Sequence, residues 1–300
     1  MVSSYIAWYL FLAGAGGGAF LLGSFVDFVL RFSDRPWFER ASSVTDAGLY
    51  VGPVLVALSA VFLTLDLGAP EQAFRLFFFP TGSLLSMGAW SIALFCITAV
   101  GALVCGTMDG APFAQVAETA LSIIATLSAA FVVVYAGVFL SLYPSVPFLN
   151  TALVPILFIA SALATGAAVL IVIGFFRSVR AEVLDGLDSL LRLDMVLIVL
   201  EAVAIAAFVA VSFLAGDPAA QSASAMVSGE YSMLFWFGVV VAGLVVPLSV
   251  DAVCLRFPQA TLLFVGAAST LVGGVCLRFV LLLAAQRFSL VVMGALTYWM

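Results

Sequence analysis

Apolar runs of about twenty residues alternate with short polar joins along almost all of the 300-residue chain. A membrane-spanning helix needs about 20 mostly apolar residues. Eight runs qualify: Tyr5–Leu30, Ala47–Leu65, Leu84–Gly106, Thr119–Leu142, Leu149–Phe176, Met195–Ala215, Tyr231–Val250 and Thr261–Ala285. The joins hold the charges and turn residues, as in "RFSDRPWFER", "LGAPEQAFR", "YPSVP" and "AGDPAAQ". None of them is long enough to form a separate soluble domain. The pattern predicts an all-α integral membrane protein with eight transmembrane helices. The chain start lacks the basic segment of a cleavable signal, so the first span is expected to stay in the mature protein.

The first span contains "YLFLAGAGGGAFLL", in which Ala13 to Ala19 have side chains no larger than a methyl group. Gly14, Gly16 and Ala19 fit a dinucleotide-binding spacing, but that motif needs a strand before it and a helix start in water. Here it lies inside a lipid-length apolar run. The pairs Ala13/Gly17, Gly14/Gly18 and Ala15/Ala19 are one helical turn apart, the spacing that lets helix backbones approach closely in lipid. Ser161/Thr165 and Ala162/Gly166 repeat it in the fifth span. Gly14, Gly17, Gly18, Ser161 and Thr165 are therefore candidate packing residues. The same smooth wall also admits a flat ligand, and spacing does not separate the two. "FLAGAGGGAFLL" and "FIASALATGAAVL" align with one insertion, which points to a parallel repeat of four helices.

Composition agrees with the pattern: 65% of residues are hydrophobic, 9% are charged and the mean hydropathy is +1.29. All ten basic residues are arginine, and histidine is absent. Haem in membrane helices and most metal centres draw on histidine, so no haem or metal is expected on this chain. Cys96, Cys105, Cys254 and Cys276 have no Cys-x-x-Cys spacing and read as small buried hydrophobes. No nucleic-acid partner is expected. With the N-terminus outside, the inner joins hold Arg31, Arg35, Arg40, Arg177, Arg180, Arg192 and Arg256, and the outer side holds only Arg75 and Arg287. Positive residues favour the inner side, so both termini are expected outside.

Ionisable groups at membrane depth are functional candidates. Glu201 lies about 12 Å into the sixth span from the inner side, at 1.5 Å per residue. Arg278 lies in the eighth span about 12 Å nearer the outer face, a separation that argues against direct pairing; it reads either as an anchor to an outer loop or Asp66 or as a substrate contact. Glu201 reads either as part of a proton route or as a hydrogen-bonded structural carboxyl. Glu118 and Asp46, near the inner side, are further candidates for the start of such a route. Tyr9 and Tyr135 reach similar depth in the outer leaflet, and Asp66 ends the second span on that side. Phenol and carboxylate supply the hydrogen bonds and proton acceptors that a quinone headgroup needs. Each tyrosine also fits an interfacial belt.

Six stretches carry a resemblance that runs in order through nearly the whole chain: "YLFLAGAGGGAFLL", "LDLGAPEQAFR", "GSLLSMGAW", "YAGVFLSLYPSVPFLN", "FIASALATGAA" and "GGVCLRFVLLLA". With them the chain resembles the NrfD/PsrC family, the membrane subunits of polysulfide-reductase-like complexes. The resemblance implies two four-helix bundles, 1–143 and 144–300, in the bacterial cytoplasmic (inner) membrane, with no cofactor of their own. It implies that the subunit oxidises menaquinol or ubiquinol (or reduces the quinone) near the outer face. Electrons would pass to a ferredoxin-like iron–sulfur subunit, and then to a molybdopterin enzyme or multihaem cytochrome. Tyr135 matches the tyrosine of the family's quinone pocket. Tyr9 and Ile6 stand where some relatives carry histidine and asparagine. Asp66, Glu71 and Arg75 match the motif after the second span, where Glu71 and Arg75 would dock the iron–sulfur partner. A secondary transporter and an anchor without a working quinone site are the competing readings.

Overall fold

The computed structural model describes residues 4–30, 36–66, 84–108, 112–142, 146–177, 181–257 and 259–297. Among the described residues there is no strand. The helices are α1 (Ser4–Leu30), α2 (Pro36–Asp66), α3 (Leu84–Gly106), α4 (Pro112–Ser141), α5 (Leu153–Arg177), α6 (Ala181–Leu214), the short α7 (Asp217–Val227), α8 (Leu234–Cys254) and α9 (Ala260–Thr297). Eight of these, all but α7, are long and apolar enough to cross a membrane. They correspond one to one with the eight apolar runs. Charged residues at the ends lie inside several of them, because helical hydrogen bonding continues past the point where hydropathy falls.

Helix α1 is central. It packs against α2, α4, α5 and α9, and 78% of its apolar stretch is buried, against 33% for α2 and α8. Lipid offers no hydrophobic drive for helices to associate, so close backbone approach has to supply the attraction. The small residues of α1 do this on two sides. A Cβ on Gly18 would fall on the Ala162 carbonyl of α5, and one on Gly166 would fall on the Gly18–Ala19 backbone. On the α2 side, Gly16 faces Gly52 and Val56, and Ala19 faces Gly48. Gly17 turns to α4, where its nearest neighbour is Val133. The two stretches that align as a repeat thus pack on each other, parallel and in register.

Helix α8 begins with a π-helical stretch, Leu234–Val245, and continues as an α-helix over Val246–Cys254. In the π register, residue 247 would donate to the Ala242 carbonyl, but Pro247 has no N–H. Ser269 of α9 donates its hydroxyl to Ala242 O instead, at 2.5 Å. Gly243 and Gly273 bring the same two helices close.

The four cysteines are free thiols. Cys254 is buried and the others are half-buried.

Candidate functional site

Consecutive spans run in alternate directions, so α1 begins, and α2 and α4 end, at one face of the molecule. The aromatic contacts of Tyr5 and Trp8 with Phe62, at ring separations of 6.4 Å each, tie the start of α1 to the end of α2. Tyr9 and Tyr135 lie at this end. Tyr5 and Trp8 are 46% and 38% exposed, as belt residues are, whereas Tyr9 and Tyr135 are only 4% and 6% exposed. Tyr9 and Tyr135 are also electrostatic neighbours. Belt residues keep their polar ends in the interface, and these two phenols are turned inward instead.

The Tyr135 ring is held by its surroundings. Phe131 and Phe139, one turn before and after it, lie at centroid distances of 6.1 and 5.8 Å. On α3 the ring lies against Gly88, where a Cβ would come within 2.7 Å of the phenol oxygen. Gly88 is the glycine of the "SMGAW" motif, so that motif clears the space the tyrosine occupies. Asp66 ends α2 half-buried, one turn beyond Phe62. Glu71 and Arg75 lie outside the described residues.

A second polar assembly lies deeper, between α1, α5, α6 and α9. Arg278 of α9 is 1% exposed. Its Nη1 donates to Ser161 Oγ at 2.5 Å and to Gly274 O at 3.0 Å. Its guanidinium carbon lies 5.9 Å from the Phe11 ring centroid and 5.5 Å from that of Phe158, which is cation–π range. A Cβ on Gly14 would come within 3.2 Å of Nη2. Gly14 therefore makes room for a guanidinium as well as for a helix. Ser161 also hydrogen-bonds Glu201 of α6, and Glu201 and Arg278 are electrostatic neighbours. Thr165 donates to the Ser161 carbonyl at 2.6 Å and steadies that turn of α5.

One expectation is corrected here. Among the described residues Arg278 anchors no outer loop; its guanidinium lies at the level of Gly14 and Ser161. Glu201 and Arg278 are linked through Ser161 rather than paired directly, as their depth separation suggested. The arithmetic locates Cα atoms, and a long arginine side chain covers the remaining distance. Glu118 is elsewhere. It is half-buried on α4 with its carboxylate against Gly106, and α4 packs on α1, α3 and α5. Asp46 is exposed on α2.

Two residues of this assembly were not singled out from the sequence. Asp194 of α6 and Asp251 of α8 are 1% and 2% exposed. Each lies one residue beyond an apolar run and so reads as part of a join. Asp194 sits seven residues before Glu201, on the same helix face, and that spacing was the available signal.

The family described as "Polysulphide reductase, NrfD" matches residues 2–290. The C subunit of polysulfide reductase from Wolinella succinogenes is 28% identical over 302 residues, covering 94% of this chain and 93% of the relative. Protein NrfD of Escherichia coli is 27% identical with the same coverage, and the Haemophilus influenzae NrfD homologue is 26% identical. The molecule is thus a multi-pass inner-membrane protein, a membrane subunit of a respiratory redox complex. Within that class, the chain belongs to the NrfD family.

Proposed function

We propose that a lipid quinol binds at Tyr9 and Tyr135, between the outer ends of α1 and α4, and that the subunit oxidises it, or reduces the quinone in the reverse direction. The observation that supports this is the pair of buried phenols, Tyr9 and Tyr135, neighbours at one end of a protein where Tyr5 and Trp8 at the same level face outward. A quinol donates two O–H groups and a quinone presents two carbonyls. Phenols both donate and accept, so they hold either form. Asp66 supplies a proton acceptor at the same end. Oxidation of one quinol releases two electrons and two protons. The protons leave at this face, and the electrons pass to a ferredoxin-like iron–sulfur subunit docked over Glu71 and Arg75. That subunit passes them to a catalytic subunit, a molybdopterin enzyme or multihaem cytochrome. In this reading the termini and the pocket face outside. Residues 1–143 and 144–300 form two four-helix bundles, the first holding the quinone.

The test is Tyr135→Phe in the intact complex. Quinol-dependent turnover falls about tenfold or more, the lower range of general acid–base effects, while the subunits stay together on size exclusion. Unchanged turnover removes Tyr135 from the site. Charge reversal of Glu71 and Arg75 releases the iron–sulfur subunit if the docking assignment is right.

A further inference from the structure

We propose that Asp251, Asp194, Glu201, Ser161 and Arg278 form a proton-transfer path from the face opposite the tyrosines to the middle of the membrane. The residues come from α8, α6, α5 and α9, and none is part of the tyrosine pocket. The four ionisable members are each at most 5% exposed. Their sequence in space follows from their neighbours. Asp251 lies near the far end of α8, with Gly266 of α9 against its carboxylate and Cys254 as an electrostatic neighbour. Asp194 has both Asp251 and Glu201 as electrostatic neighbours. Glu201 bonds Ser161, and Ser161 accepts from Arg278.

Two features distinguish this file from a structural ion pair. First, the file holds three carboxyls and one guanidinium, and of the three Glu201 is the electrostatic neighbour of that guanidinium. In a medium of low dielectric, three neighbouring carboxyls beside one cation do not all ionise together, so the file holds exchangeable protons. Second, its members have spare hydrogen-bonding atoms. Among the described residues Asp194 Oδ1, Asp251 Oδ2, and Arg278 Nε and Nη2 are buried without a hydrogen-bond partner. A structural network satisfies its buried polar atoms; a relay needs free positions for a proton or a bridging water. Among the described residues these carboxyls make no converging metal-ligand set. They are strung along the helix axis, Glu201 about 10 Å beyond Asp194 at 1.5 Å per residue.

The step is proton movement alone. A proton from the far face enters on Asp251, moves to the Asp194 carboxylate and then to Glu201, with each donor left ionised and reloaded from behind. Arg278 stays protonated. Through Ser161 its charge faces Glu201, which accepts and releases a proton without net transfer to the arginine. Proteins use intramembrane carboxyls in this way in proton relays.

The test uses the intact complex, reconstituted in vesicles with a pH dye on the side of the α8–α9 turn. A quinol analogue drives turnover. The inference rests on the quinone reading only for that drive, and electron flow is recorded separately. The native complex is expected to take up protons from that side during turnover. Glu201→Gln is expected to keep electron flow and lose the uptake, and Asp194→Asn to do the same if the first variant fails to assemble. Redox-difference infrared spectra give a second readout: a deuterium-sensitive carboxylic-acid band, present in the native complex and lost in Glu201→Gln. Uptake that persists in both variants, or a native complex that moves only the protons released by quinol, overturns the path. Absent electron flow in the native complex would instead count against the quinone reading, and the infrared band, driven by chemical reduction, would still decide the path.

Discussion

The tyrosine pocket and the arginine file solve opposite problems with the same helix. Both lean on α1, the first through Tyr9 and the second through Gly14 and Phe11. The pocket buries neutral phenols near one face, where a hydrogen bond nets about 1 kcal/mol. Its supports are correspondingly light: two phenylalanines and one glycine around Tyr135. The file buries a cation at mid-depth, where an arginine costs about 2.5–3.5 kcal/mol even on insertion scales. It recruits a serine, a backbone carbonyl, two aromatic faces and a neighbouring carboxyl. The contrast separates the positions where mutation should hurt the fold from those where it should hurt only turnover.

Arg278→Met should do the most damage. Breaking a buried charged pair by removing one partner costs about 3–5 kcal/mol, so the complex should be lost from membranes or melt far lower in detergent. Adding Glu201→Gln to the same chain should recover much of that loss. A single variant as stable as the native chain would mean that the file needs no charge balance. Next comes Gly18→Ala. Its Cβ meets the Ala162 carbonyl, a backbone atom that cannot step aside, and overpacking of this kind costs about 1–3 kcal/mol. Gly17→Ala meets the Val133 side chain instead, which can turn away, so its melting shift should be smaller. Equal shifts would break the assignment of Gly18 to the α1–α5 seam. Ser161→Ala removes the bridge between Arg278 and Glu201 and should cost about 1–2 kcal/mol, in the range for leaving buried partners unmet. Tyr135→Phe should matter least for stability, about 1 kcal/mol or less. A large drop in its melting point would make this phenol a structural residue and end the contrast between the two regions.

The eight spans were legible because so many apolar runs of lipid length cannot all be buried inside a soluble fold of this size. The inward pairing of Tyr9 with Tyr135 was legible only as a coincidence of depth. Nothing in the sequence tells a phenol turned inward from one at the interface, because that depends on which helix covers it. Ser161 and Thr165 read as small packing residues, and Ser161 does sit at the α5 seam. Its second role depends on Arg278, more than a hundred positions away along the polypeptide. Asp194 and Asp251 were missed for a plainer reason. A hydropathy reading ends a span at the first charge, and these two charges lie just beyond those ends yet inside the helices the protein forms.

The wide coil at the start of α8 decides where Asp251 points. Five of the buried positions of this helix recur every fourth residue, Phe235, Val239, Gly243, Pro247 and Asp251, with Leu244 and Cys254 buried beside them. On a regular α-helix a step of four overshoots a full turn, and four such steps would carry Asp251 about 160° around from Phe235, toward lipid. The π register turns less per residue and absorbs the overshoot, so all five stay on one face. A proline without an N–H and a serine that serves its orphaned carbonyl therefore act as an indexing device. They set the rotational phase at which a carboxylate arrives at the protein interior.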